Sequence, residues 1–186
     1  PPIAAPAAAD DIWQCERRVN EALLELRHGK PGPVQINYQV TGAIGDISDA
    51  SVEKLPDVRK IGRIGTGAPD EAWRAKVQEL AKAKRILVIA GLAHHRDPAL
   101  DALIDRFERL YNCVVAVENI SNVKSDGALH TYLAAESMAP QVFKAHLPDV
   151  VISFGGNFTS SIKAKLRVNA RAFSHWLIAE DGSLQD

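Results

Sequence analysis

The fold is decided by residues 149–166, DVVISFGGNFTSSIKAKL. The apolar run 149–154 predicts a buried strand, Gly155 and Gly156 predict a tight turn, and the residues that follow predict a helix over 159–169. In open α/β sheets, ligands bind beyond the carboxyl ends of the strands, where such turns lie. The stretch therefore predicts an α/β fold and raises the question of whether this turn binds a ligand.

The same alternation of strand and helix runs through the C-terminal part of the chain. Further strands are predicted over 85–91, 113–119 and 174–179, and further helices over 69–84, 98–111 and 128–147, the last broken near Pro140. The strands are apolar without alternation, as expected for strands buried on both faces. Short buried strands separated by amphipathic helices predict a Rossmann-like, doubly wound parallel sheet.

The N-terminal part predicts a different organisation. Asp10 and Asp11 cap a predicted helix that runs to about His28, and an extended segment follows over 34–40. Residues 41–68 are rich in Gly, Ser and Asp and show no sustained period. A structureless stretch of this length is unusual inside a compact domain, so we interpret it as an interdomain linker.

Composition argues against several classes of protein. The 186 residues carry a net charge of −1, which gives no reason to expect nucleic acid or an anionic membrane as a partner. No apolar run reaches the roughly 18 residues of a membrane-spanning helix. Cys15 and Cys113 lie far apart, and we interpret them as two thiols of a reduced cytoplasmic protein, with a disulfide as the alternative. The chain has no CxxC or HExxH motif, so no zinc site is predicted.

The turn after the 149–154 strand supplies the main candidate site. Gly155 and Gly156 permit a tight turn and a close approach by a ligand. The amino end of the next helix favours an anion. Three residues could cap that helix, namely Asn157, Thr159 and Ser160, and two could add positive charge, namely Lys163 and Lys165. The alternative is that the glycines only permit the turn and the hydroxyls only cap the helix.

Two other loops leave the same predicted edge of the sheet. Ser121 and Asn122 belong to a polar rim that begins at Glu118, which we interpret as a solvated loop acid, with a functional carboxylate as the alternative. The loop GLAHHRD carries His94 and His95, which we expect to be exposed. This loop lacks the full G-x-G-x-x-G fingerprint, so a conventional dinucleotide site is not predicted.

Several segments resemble the thiamine-diphosphate-dependent enzymes. Residues 16–40, ERRVNEALLELRHGKPGPVQINYQV, resemble the end of their pyrimidine-binding domain. Successive pieces of the central domain are similar to RILVIAG, VVAVENISN, LPDVVISFGGNFTSSIKAKLR and HWLIAEDGSLQD. The last two segments are most similar to the synthase family of menaquinone biosynthesis that joins 2-oxoglutarate to isochorismate. The ending over 175–186 is the most specific part of the resemblance.

The resemblance implies a domain plan. Residues 1–40 would be the tail of a pyrimidine-type domain, 41–68 the linker, and 69–186 the Rossmann-like central domain. The parent enzyme would use thiamine diphosphate and Mg²⁺, but the cofactor glutamate of the family belongs upstream and its diphosphate motif downstream. We therefore expect this chain alone to bind no cofactor and to be inactive. Its expected partners are the other domains of the parent, further copies in a homo-oligomer, and isochorismate and 2-oxoglutarate in the parent.

The resemblance also implies a binding role for the 155–163 segment. In the synthase family, basic residues on this helix meet the carboxylates of the substrate, whereas Ser161 and Ile162 stand at those positions here and Lys163 follows them. The predicted substrate-binding residues are Asn157, Ser160, Lys163, Ser121 and Asn122. Three alternatives remain: the central domain of another thiamine-diphosphate 2-oxoacid decarboxylase or carboligase, a stand-alone nucleotide-binding Rossmann module, and a structural domain without a ligand.

Overall fold

The computed structural model describes residues 9–37, 58–182 and 184, with side chains from residue 11 onward. The chain divides into two compact units, Pro1–Ile64 and Gly65–Asp186. The division falls inside the predicted linker, whose residues 41–57 lie outside the described part. No helix among the described residues is long and apolar enough to cross a bilayer.

The first unit is built on a single long helix, α1 (Ala9–Glu25), which is close to the helix predicted from Asp10 to about His28. Gly29 adopts a positive φ of 58° just after it. The Asn20 side chain donates to the Arg59 carbonyl (2.9 Å) and accepts from the Ile61 amide (2.8 Å). Residues 59–61 therefore run alongside α1. The predicted extended segment shows no strand over 34–37, and its last three residues are not described.

The second unit contains a five-stranded sheet in which every pair of neighbours is parallel. Its strands are β1 (Ile86–Ala90), β2 (Val114–Val117), β3 (Leu129–His130), β4 (Val150–Phe154) and β5 (Ser174–Ile178), in the order β3-β2-β1-β4-β5. The predicted Rossmann-like, doubly wound parallel sheet is confirmed. Strand β3 was not predicted, because its two residues are too short to show a period and both are exposed.

Helices cover both faces of the sheet. They are α2 (Asp70–Lys82), α3 (Pro98–Tyr111), α4 (Tyr132–Ser137), α5 (Pro140–Ala145) and α6 (Ile162–Val168), with a 3₁₀ turn at Asn119–Ser121. Val88 and Ile152 pack with residues of α2 and α3 on one face, whereas Ile89 and Val151 pack with residues of α4 and α6 on the other. Alternate residues of each strand are buried on opposite faces, which explains the continuous apolar runs.

Local capping sets where helix α3 begins and ends. Helix α3 starts at Pro98 because the Asp97 carboxylate accepts from the Ala99 amide (2.9 Å), and it ends before Asn112, which is left-handed with φ 46°. The predicted range 98–111 is therefore confirmed. Helix α6 begins at Ile162, later than the predicted residue 159, and the amides of residues 159–161 donate to side chains of other elements.

Candidate functional site

The candidate site lies where the strand order reverses, between β1 and β4. From β1 the chain proceeds to β2 and β3 on one side, while β4 and β5 lie on the other. The loops that follow β1, β2 and β4 all leave from the carboxyl edge of the sheet at this point. Open α/β sheets place their ligand crevice here.

The crevice is closed by backbone contacts between two of these loops. Gly91 donates its amide to the Phe154 carbonyl (2.8 Å), and Gly156 donates to the Leu92 carbonyl (2.8 Å). A Cβ placed on Gly91 would lie 2.0 Å from the Gly156 carbonyl oxygen. The glycines were predicted to let a ligand approach closely, and in this structure the loop after β1 occupies that close position.

The turn itself requires glycine at one position. Gly155 has a φ of 78°, a left-handed conformation that residues with a side chain rarely adopt. A Cβ there would also meet the carbonyl oxygens of Gly91 and Leu92 at 3.0 Å. The backbone bends at Gly155 through this positive φ, and both glycines serve the packing of this edge of the sheet.

The carboxylate of Glu118 joins the end of β2 to the turn after β4. Glu118 is only 8% exposed, so its interpretation as a solvated loop acid was wrong. One carboxylate oxygen accepts from the Thr159 amide (2.8 Å), and the other accepts from the Thr159 hydroxyl (2.9 Å) and the Ser160 amide (2.6 Å). A buried carboxylate needs such donors in place of water.

The two following amides are also engaged. The Ser161 amide donates to Glu136 Oε1 (2.7 Å), and the Ile162 amide donates to the Ser160 hydroxyl at 3.3 Å. Four consecutive amides, 159–162, therefore donate to oxygen atoms of the protein's own side chains. An incoming phosphate or carboxylate would have to displace two carboxylates to reach them.

Ser121 and Asn122 tie the loop after β2 to the loop after β1. Ser121 is fully buried; its hydroxyl donates to the Ala90 carbonyl (2.5 Å) and accepts from the Glu118 amide (2.9 Å). Asn122 is exposed and donates its side-chain amide to the Ala93 carbonyl (2.7 Å). Both predicted site residues thus hold loops together in this structure.

The predicted polar and basic side chains separate into two groups. Asn157 is exposed beside the turn, and Lys163 is half-buried in the first turn of α6. Lys165 instead donates its ammonium to the carbonyls of Ala135 and Met138 (2.9 Å to Met138), at the end of α4. Of the two predicted lysines, Lys165 is therefore used to dock α6 against α4.

The loop after β1 is held by a buried aspartate. Asp101 accepts from the Lys124 amide (2.8 Å) and from Arg96 Nε (2.7 Å), and these bonds, the first most of all, hold the pKa of its carboxyl below the usual range. His94 and His95 are exposed on this loop, as predicted. Within the described residues, no three His, Cys, Asp or Glu side chains are grouped to hold a metal ion.

One contact near the site had no signal in the sequence. The hydroxyl of Ser153, which is buried in β4, lies 2.7 Å from His175 Nε2 in β5. The contact depends on the register of the two strands, in which Val151 pairs with His175. Periodicity predicts strands but does not fix their register, so this pair could not have been found.

Comparison with known proteins gives one consistent result. No protein-family model matches the chain. A 2-succinyl-5-enolpyruvyl-6-hydroxy-3-cyclohexene-1-carboxylate synthase from Bacteroides fragilis is 30% identical over 95% of the chain and 32% of its own length. The enzymes of the same name from Phocaeicola vulgatus and Porphyromonas gingivalis are 29% and 26% identical, over 95% and 90% of the chain and 31% and 29% of their own lengths.

Nearly the whole length of this chain, 95% of it, is similar to that synthase. The resemblance inferred from residues 16–40 and 175–186 is thereby confirmed. The chain spans about a third of the length of the curated synthases that it matches.

The described residues do not fit the diphosphate and metal ion of a thiamine-diphosphate enzyme. The amides at the start of α6 are bonded to Glu118 and Glu136, and the described part of the chain holds no grouped set of metal-ligating side chains. We therefore derive no step of cofactor chemistry for this chain. That the chain alone binds no cofactor stays a prediction.

Proposed function

We propose that this chain is the central, non-catalytic domain of a thiamine-diphosphate-dependent synthase of menaquinone biosynthesis that works in the cytoplasm. The observation that carries the proposal is the similarity to synthases of that name along 95% of the chain, together with the parallel Rossmann-like sheet. Its roles would be to support the neighbouring domains and to pack against further copies of the enzyme. We expect the chain alone to be inactive.

In the parent enzyme, the resemblance implies the decarboxylation of 2-oxoglutarate and the addition of the resulting four-carbon unit to isochorismate. Thiamine diphosphate, held with Mg²⁺ by other domains, would supply the carbanion chemistry. This domain would contribute shape and charge at the carboxyl edge of its sheet. The alternative parent, another 2-oxoacid decarboxylase or carboligase, would differ in the acceptor that meets this edge.

Within this role we propose that Asn157 and Lys163 contact a substrate carboxylate. Asn157 is exposed and Lys163 is half-buried, and they flank the turn that Glu118 fixes. The predicted residues Ser160, Ser121 and Asn122 would support these two through the hydrogen bonds that join the loops. Lys163 supplies the positive charge, and Asn157 supplies an amide donor.

The test is calorimetric titration of the 186-residue chain with isochorismate. We expect saturable binding that Lys163→Ala weakens about 10-fold or more, because a hydrogen bond to a charged group is lost. Lys82→Ala is the matched control, since Lys82 is exposed in the last turn of α2, before the opposite edge of the sheet. Equal affinity in wild type and Lys163→Ala would remove Lys163 from the site.

A second titration, with thiamine diphosphate and Mg²⁺, tests the cofactor prediction. We expect no saturable heat, because the family's cofactor residues belong to segments outside this chain. Tight binding would show that the cofactor site is present after all. The nucleotide-binding alternative is tested by thermal unfolding with ATP or NAD. We expect no rise in Tm, because Glu118 and Glu136 already bind the amides of residues 159–161.

A further inference from the structure

Among the described residues, the Glu118 carboxylate is the one buried charged group that bridges the loop after β2 and the turn after β4. Its donors at Thr159 and Ser160 are neutral and lie 41 and 42 positions along the chain, and the carboxylate also forms a capping box with the nearby amide of Ser121. No ion pair of Glu118 occurs within the described part of the chain. Its charge is therefore compensated by backbone amides and one hydroxyl, an arrangement also made for a bound anion.

Glu118 caps the 3₁₀ turn that follows it, but its bonds to Thr159 and Ser160 go beyond those of an ordinary cap. Caps come from residues just before a helix, whereas Glu118 reaches the 159–160 segment from another strand. It leaves Asn157 exposed on one side and Lys163 in the first turn of α6 on the other. A second carboxylate, Glu136, bonds only the next amide, at Ser161, and is exposed.

We propose that Glu118 is a positioning residue: its carboxylate is a built-in anion that fixes residues 159–160 and so sets the placement of Asn157 and Lys163. A ligand that reaches this edge meets those side chains and not the backbone amides, which are filled. The statement about the ligand rests on the proposed function, whereas the statement about the segment rests on the Glu118 bonds alone.

A built-in anion predicts chemical rescue. In Glu118→Ala, the amides of Thr159 and Ser160 lose their acceptor and a space of about the size of a small carboxylate remains. Acetate or formate should enter that space and restore the bonds, which a role in packing alone would not allow. Glu118→Gln fills the same volume without the charge and places an NH₂ group, which is a donor, against donors, so a small carboxylate should not restore it.

The experiment uses the 186-residue chain as wild type, Glu118→Ala, Glu118→Gln and Glu136→Ala. Amide hydrogen exchange at 159 and 160 is measured by NMR, with Tm alongside, in sodium acetate and in sodium chloride of equal ionic strength. We expect both Glu118 variants to exchange these amides about 10-fold faster or more. Acetate should reverse this in Glu118→Ala only, and Glu136→Ala should affect residue 161 alone.

Two outcomes would overturn the proposal. One is wild-type protection at 159 and 160 in both Glu118 variants. The other is a loss of amide protection in Glu118→Ala that acetate reverses no better than chloride does. A Glu118→Ala variant that fails to fold in either salt counts as this second outcome. If Glu118→Ala folds only when acetate is present, the proposal is supported.

The claim that Glu118 positions the ligand-contacting residues is tested by a separate measurement. Isochorismate affinity is compared between wild type and Glu118→Ala, with and without acetate, and a loss of about 10-fold that acetate restores is expected. If wild type binds no isochorismate, the proposed substrate contact fails while the exchange data still decide the role of Glu118. If wild type and Glu118→Ala bind equally, Glu118 does not position the binding residues.

Discussion

At the scale of single residues, the tightest contact at the candidate site is between Gly91 and Gly156. A Cβ on Gly91 would lie 2.0 Å from the Gly156 carbonyl oxygen, and backbone cannot move away as a flexible side chain can. We predict that Gly91→Ala lowers the free energy of unfolding by about 3 kcal/mol or more, measured by urea denaturation. Gly67→Ala is the control, because nothing lies within 4 Å of its Cβ position; it should change stability by less than about 1 kcal/mol. A small effect at Gly91 would mean that the two loops are not in contact.

A second residue-scale prediction concerns Cys113, which is a free thiol in a groove with Glu108 and Asp126. Burial, with the negative charge of Glu108, raises the pKa of this thiol to about 11. Because the thiolate is the nucleophile, alkylation of Cys113 by iodoacetamide should be slow at pH 8 and rise about tenfold per pH unit up to pH 10. Mass spectrometry of the Cys15→Ser variant measures the rate. A rate that levels off near pH 8.5 would contradict the raised pKa.

Single residues also show which contacts could be predicted from the sequence and which could not. The consecutive glycines at 155 and 156 predicted a tight turn because few residues accept a positive φ. Glu118 could be placed at a strand end, but its burial could not be predicted, because its donors lie 41 and 42 positions away. The Ser153–His175 contact could not be predicted either, because it depends on the register of two strands. Contacts local in sequence were predictable, and those created by the topology were not.

At the scale of elements, the predicted bounds were most accurate where capping residues mark the ends of a helix. Helix α3 matched its predicted range because Asp97, Pro98 and Asn112 mark both ends. The predicted helix over 128–147 was wrong in its first residues, which form β3, and it divides into α4 and α5 at Pro140. Short elements carry too few residues for a period to be visible, so tertiary contacts decide their conformation.

Asp149 supports a prediction about pH at this scale, because it ties the beginning of β4 to the turn before β1. Its carboxylate accepts from the amides of Lys84 (2.7 Å) and Arg85 (2.9 Å), and these bonds lower its pKa. A lowered folded-state pKa means that the stabilisation is complete above the unfolded-state pKa of about 3.9 and is lost as the pH falls through the folded-state pKa.

The expected result for Asp149→Asn is a lower Tm than wild type at pH 7 and a difference that shrinks below about pH 4. Asp101 and Asp105 have pKa values lowered in the same direction, so the variant should remove only part of the acid dependence. Asp70→Asn serves as the control, because the Asp70 side chain is 89% exposed and its nearest cation lies at 3.9 Å. A difference in Tm that stays constant from pH 7 to pH 3 would show that the Asp149 carboxylate makes no such contribution.

At the scale of the whole molecule, the fold class was predictable and the site was predictable only in its location. Alternating buried strands and helices predict a parallel doubly wound sheet, and such sheets place ligands at a strand-order reversal. The chain follows this rule in its topology, with the reversal between β1 and β4. What the sequence did not show is that Gly91, Gly156 and Glu118 fill this crevice from within.

The two units differ in what could hold each of them together. Both hydrophobic clusters of the described chain consist of residues from 80 to 176, all within Gly65–Asp186. Among the described residues of Pro1–Ile64, no hydrophobic side chain is buried, and Ile12 and Leu23 of α1 are 43% and 54% exposed. A helix is stabilised mainly by packing of its apolar face, so α1 lacks most of this stabilisation within its own unit.

We therefore predict that residues 65–186 expressed alone fold cooperatively and that residues 1–64 alone do not. Circular dichroism should show a sigmoidal thermal transition for 65–186, with NMR amide shifts at 159 and 160 equal to those in the whole chain. For 1–64 it should show low helicity that falls gradually on heating, because an isolated helix of the 17-residue length of α1 is marginal in water. A cooperative transition in 1–64 would mean that this unit has a core of its own. Such a core would count against the proposal that it is the tail of a larger preceding domain.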